Sequence, residues 1–105
     1  MRSNRQFPFR YASYLSQHFP KVWRLGGNIR GNATFKLWGR YRRGERSPAV
    51  MHWWEVERPA WIARHYQDHR IAGVIAQVKW GAVGSLGVRG MKRVIEEEIR
   101  KRYWS

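Results

Sequence analysis

Asn32-Ala-Thr-Phe-Lys-Leu-Trp-Gly-Arg-Tyr-Arg-Arg43, Gly44-Glu-Arg-Ser-Pro48 and Ala49-Val-Met-His-Trp-Trp-Glu-Val-Glu57 together form the stretch whose reading decides the fold. In the first arm Phe35, Leu37 and Tyr41 fall on one side of a period of two, and Lys36, Trp38, Arg40 and Arg42 on the other. In the second arm Val50, Trp54 and Val56 share one face, and Met51, Trp53, Glu55 and Glu57 the other. Such alternation predicts half-buried strands. Gly44 to Pro48 has turn composition, and Pro48 has no N–H for a central ladder. The stretch reads as a β-hairpin with one apolar face, the other face carrying Lys36, Arg40, Arg42 and tryptophans at its rim. Aromatic rings among guanidinium groups suit a surface that touches nucleic acid.

On the C-terminal side, Arg58-Pro59 ends the second strand, and Pro59 to His69 reads as a short helix or irregular crossover with Trp61, Ile62 and Tyr66 inward. Ile71 to Trp80 is apolar on both alternating faces and β-rich, which fits a covered third strand, although so short an apolar run also fits a helix. Gly81, Gly84, Gly87 and Gly90 recur every three residues and read as a flexible linker. Gly87-Val88-Arg89-Gly90 matches the GXXG pattern that clamps RNA backbone, but that clamp lies between two helices and a strand is expected here. From about Gly90 to Tyr103, Met91, Val94, Ile95, Ile99, Arg102 and Tyr103 follow a helical stripe. Glu96–Arg100 and Glu97–Lys101 are i,i+4 pairs in the favourable direction, so the acidic run is a solvated face.

On the N-terminal side, Tyr11, Tyr14, Leu15, His18 and Phe19 repeat at helical spacing between Pro8, placed to start a helix, and Pro20, placed to stop it. Lys21 to Gly31 is a basic loop in which Gly26, Gly27 and Gly31 permit sharp turns or close approach of backbone to a phosphate. The expected fold class is α+β: a small antiparallel three-stranded sheet with an N-terminal and a C-terminal helix. Residues 1–31 form a basic N-terminal arm with a short helix and loop, and residues 32–105 the small α+β domain.

Charge dominates the composition: 21 Lys and Arg oppose 7 Asp and Glu in 105 residues, a formal net charge of +14. Self-repulsion of that size calls for an anionic partner, of which nucleic acid is the commonest. The first carboxylate is Glu45, so residues 1–44 are wholly free of acid. The opening Met1-Arg2-Ser3-Asn4-Arg5 has the composition of a mitochondrial targeting segment, or of a basic arm that lies on RNA. No run of about 18 apolar residues exists to span a bilayer, so an integral membrane protein is not expected. Cysteine is absent, which removes disulfides, thiolate chemistry and zinc ribbons. His65 and His69 stand four apart but have no third ligand nearby and no following Glu, so they are read as surface histidines and no metal is expected. No carboxylate sits in apolar insulation, and no phosphate loop or nucleophile elbow is present. The chain is therefore read as no enzyme, with no cofactor and no small-molecule substrate.

Arg24, Arg30, Lys36, Arg40, Arg42, Arg43 and Arg46 are the candidate phosphate contacts. Trp38 and Trp53 are candidates to stack on bases or, equally, to fill the core. Leu25-Gly26-Gly27 with Phe35-Lys36-Leu37-Trp38, then Trp53 to Pro59, then Gly73 to Gly81, occur in an order that resembles the family of protein thirty-four of the mitochondrial small ribosomal subunit. At the family's Gly-Lys entry to the third strand this chain has His69-Arg70-Ile71. The resemblance implies a structural component of the mitochondrial ribosome in the matrix, bound to ribosomal RNA through its basic face and packed on neighbouring ribosomal proteins. Two other classes suit the same charge: a free-standing small nucleic-acid-binding regulator or mobile-element inhibitor, and a basic accessory subunit of a mitochondrial membrane complex.

Overall fold

A computed structural model describes residues 5–104. Among them there is no sheet; the elements are helices, with one isolated antiparallel bridge between Gln6 and Ala82. Helices α1 (Phe9–His18) and α2 (Pro20–Trp23) are followed by α3 (Asn28–Arg42). Next come α4 (Pro48–His52), a π-helical turn (Trp53–Glu57) and α5 (Arg58–His65), which run on without a break. Helix α6 (Ile71–Lys79) and α7 (Gly87–Ile99) complete the fold, and α7 ends in a second π-helical turn (Arg100–Trp104). Met1–Asn4, where the targeting or RNA-binding arm begins, and Ser105 lie outside the described residues.

The expected α+β fold with its three-stranded sheet is thus overturned, while the turn at Gly44–Pro48 stands as a link between helices. The first arm failed as a strand because its buried positions are Gly31, Thr34, Trp38 and Gly39. That is helical spacing, but most of these side chains are small or polar, so counting apolar residues misses the stripe. In the second arm the inward set is Val50, Trp53, Arg58 and Ile62, again a helical repeat, and an arginine occupies one of its core positions. Val56, inward on a strand, is 53% exposed.

Pro59 does not end its element, because the turn before it is wider. Proline lacks the N–H of a regular helical bond and its ring meets the carbonyl four residues back. Here the Arg58 N–H reaches Trp53 O, five residues back, and the π-helical turn takes up the mismatch. Ser47 starts α4 as N-cap, its Oγ accepting from Val50 N at 3.4 Å. The third expected strand is α6, apolar nearly all round because it is covered on several sides: Val74, Ile75, Gln77 and Val78 are all buried. The glycine-spaced segment after it is no linker. Ala82, Val83 and Gly84 are buried, and a Cβ on Gly84 would lie 2.4 Å from Gln77 Oε1. The GXXG residues form the first turn of α7.

Helix α3 runs across residue 31, and Leu15 and Val22 share one core with Trp38, Ile75, Met91 and Ile95. The rings of Trp53, Trp80 and Trp61 stack in sequence, at 6.5 and 4.9 Å between centroids, and His65 lies on Trp61 at 4.2 Å. Buried indole N–H groups need acceptors. Trp38 Nε1 donates to Gln6 Oε1 at 3.0 Å, and Trp53 Nε1 donates to Thr34 Oγ1.

Two cations are buried in this core. Arg58 donates from Nε to Trp80 O (3.1 Å) and from Nη2 to Gly81 O (2.7 Å) and Arg5 O (2.8 Å), with its guanidinium over Trp54. Burial lowers its pKa to about 10, so it remains charged at neutral pH. Lys79 donates to Gly26 O at 2.7 Å and lies 4.8 Å from the Trp23 ring centroid. It approaches because the facing turn is glycine: a Cβ on Gly26 would lie 2.0 Å from Ala72 O, and one on Gly31 2.9 Å from the Lys79 stem. The Gly26-Gly27-Gly31 set therefore serves helix packing, with Gly27 at φ 75° opening α3.

Burial lowers the Lys79 pKa from 10.5 to about 8. Between those values the unfolded chain binds more protons than the folded one, so stability rises with pH. Unfolding midpoints are expected to climb from pH 8 to pH 10, by on the order of 2–3 kcal/mol from this group. Lys79→Met is expected to flatten the rise, which denaturant titrations at each pH would measure.

Candidate nucleic-acid interface

One helix carries most of the predicted basic site. The buried side of α3 is fixed by Gly31, Thr34 and Trp38, which turns Lys36, Arg40 and Arg43 outward at i, i+4 and i+7. Over that interval the helix rises about 10 Å. Lys36 and Arg43 are exposed, and Arg40 is half-buried. Arg30 and Arg24 are exposed at and before the N-terminal end of α3. Arg42 points to the other flank, its guanidinium 5.6 Å from the Phe9 ring centroid.

The link between α3 and α4 is tied by the only carboxylate in the region. Glu45 accepts from Arg40 Nε at 3.0 Å and Nη2 at 2.5 Å, and from Ser47 Oγ at 2.7 Å. These bonds, the Arg40 pair foremost, hold the Glu45 carboxyl down at about 2. Arg46 turns back on the same link, donating to Tyr41 O (2.9 Å) and Glu45 O (2.8 Å) with its guanidinium 4.0 Å from the Tyr41 ring centroid. Tyr41 stacks on Trp54 at 4.0 Å, and Trp54 in turn covers Arg58. Arg46, Tyr41, Trp54 and Arg58 thus run from solvent to core as two stacked rings between two cations. Arg40 and Arg46 hold the turn as well as adding charge to the surface.

Trp38 and Trp53, candidates for base stacking or core, are 0% and 1% exposed and present no face to a ligand. A groove of about 320 Å³ lies beside α3, lined by Gly26, Gly27, Arg30, Trp61, His65 and Arg70 among others. Arg70 is bound there to Asp68 through Nε (3.1 Å) and Nη2 (3.0 Å), which holds the Asp68 carboxyl below its ordinary range. His65 Nδ1 bonds Trp61 O at 2.9 Å, and His69 Nε2 lies 2.6 Å from Ser85 Oγ, so both histidines are engaged with their own fold. No group of three or more potential metal ligands occurs among the described residues. None of their helices is long and apolar enough to cross a membrane. Sequence reasoning gave no binding role to Tyr14 or Trp104, two exposed aromatics.

No family model, curated protein or solved structure matches this chain.

The Arg40–Glu45 pair sets a pH dependence of known sign. Because the folded carboxyl is depressed, its contribution is present above pH 4.5 and is lost as pH falls from 4.5 towards 2. In an NMR titration Glu45 is expected to titrate near 2, and in Arg40→Gln to move back up towards 4.5.

Proposed function

We propose that this chain is a non-catalytic nucleic-acid-binding protein that holds a sugar-phosphate backbone along the outer face of α3. The supporting observation is the Lys36–Arg40–Arg43 row, flanked by Arg24, Arg30 and Arg42, with Glu45 as its one nearby carboxylate and that carboxylate already engaged by Arg40. Lys and Arg side chains on an exposed helix face reach phosphates first, and such contacts position a duplex or folded RNA without reading its sequence. The net charge of +14 makes such a partner the natural counter-charge.

The strand motifs behind the likeness to a mitochondrial ribosomal protein all lie on helices or on the segments that join them. The proposal therefore stops at a structural role on RNA. Sedimentation separates the settings: release from small ribosomal subunits only in high salt would make the partner ribosomal RNA, and light fractions would make the protein a free-standing binder.

Each phosphate contact releases condensed counterion, so log affinity falls linearly with log salt. Lys36→Gln with Arg43→Gln removes two contacts and leaves the Arg40–Glu45 tie intact. On an RNA duplex the salt slope is expected to become shallower by roughly 1.5–2 units. An unchanged slope would move the interface off α3.

A further inference from the structure

The most exposed aromatic rings lie at a junction of grooves around α1 and the end of α7. Tyr14 is 50% exposed and Trp104 71%. One groove of about 400 Å³ runs between Arg10, Tyr11, Tyr14 and Lys92. A second, of about 280 Å³, runs between Tyr11, Tyr14, Phe19, Arg100 and Trp104. A third, of about 430 Å³, crosses the other side of α1 between Arg10, Tyr14, His18 and Arg42. All three meet at Tyr14, and the third reaches Arg42 in the last turn of α3.

We infer that Tyr14 and Trp104 form a stacking platform for unpaired bases of a single-stranded nucleic acid, with Arg10, Lys92 and Arg100 beside it to hold the phosphates. The inference rests on the nucleic-acid reading of α3 and adds a second surface to it. Three features argue for this occupant. Tyr14 is braced from within, edge-on to Phe19 at 5.6 Å and against His18 at 4.8 Å, while half its surface stays open. Trp104 has no stacking ring among the described residues, so its indole is left for an external one. The cations also outnumber the acids: Arg10 and Arg100 form no salt bridge among the described residues, and the only lining carboxylate, Glu96, accepts from Tyr11 Oη at 3.2 Å. Lys92 lies over the Tyr11 ring at 4.8 Å from its centroid. Exposed rings beside cations are the pattern that binds single strands without regard to sequence. The groove to Arg42 joins the platform to the last turn of α3, on the flank away from the Lys36–Arg40–Arg43 row.

The test uses the full chain with two probes of equal length, a fluorescent oligouridylate and an RNA duplex. Tyr14→Ala with Trp104→Ala is expected to lower affinity for oligouridylate by roughly thirtyfold or more, since two stacked bases are lost. Duplex affinity should stay within about twofold, since a duplex offers few free base faces. Tyr14→Phe with Trp104→Phe should keep the single-strand affinity, because a ring and not a hydroxyl is needed. No loss on oligouridylate, or equal losses on both probes, would overturn the platform. Unchanged oligouridylate binding together with lost co-sedimentation on phosphatidylserine vesicles would also overturn it, making the patch a membrane-surface contact. The duplex salt slope of the Lys36/Arg43 variant reports on α3 alone, so either surface can fail without the other.

Discussion

A guanidinium buried without water must have its donors satisfied, and the fold is arranged around that demand at Arg58. Its side chain gathers carbonyls from Trp80 and Gly81 after α6 and from Arg5 in the N-terminal arm. Phe7 N then donates to Gly81 O at 3.1 Å, and the arm is fixed across the end of α6. Removing such a cation would take the Arg58 donors from buried carbonyls, which costs more than the lost bonds alone where no other donor replaces them. Arg58 also follows the π-helical turn at once, so the register shift that accommodates Pro59 is what aims its side chain inward.

The same constraint organises the aromatic residues. Charge taken into the core is spread over rings: Arg58 on Trp54, Lys79 on Trp23. Large flat side chains then fill a small protein with few residues, and the stack of Trp53, Trp80 and Trp61 joins the π-helical turn, the end of α6 and α5. Cations that are not buried are left to the surface, and α3 presents them because its inner face is occupied by Gly31, Thr34 and Trp38. Surface charge and core packing are thus two sides of one helix.

The clustering of positive charge was legible before its geometry was known. Arg24, Arg30, Lys36, Arg40, Arg42, Arg43 and Arg46 cluster in sequence, and α3 with its flanks carries them, Lys36, Arg40 and Arg43 on one face and Arg42 on the other flank. What sequence could not show was which of them are engaged. Arg40 closes on Glu45 five residues on, a distance set by the turn between α3 and α4. Arg46 folds back on Tyr41 by the same turn. Trp38 and Trp53 carried no sign of their burial because period two and period 3.6 both fit so short a stretch.

Composition alone determined the excess of positive charge, the lack of thiol chemistry, and helices bounded by Pro8 and Pro20 and built on the stripe from Met91 to Ile99. Those follow from single residues and from patterns strong enough to stand without neighbours. Tertiary structure decided the rest of the fold. Arg58 and Lys79 are core residues only because carbonyls from distant segments converge on them, and Gly31 and Thr34 are inward only because Lys79 and Trp53 lie against them. Their own side chains favour neither strand nor interior, so their places depend on contacts made across the fold and not along the chain.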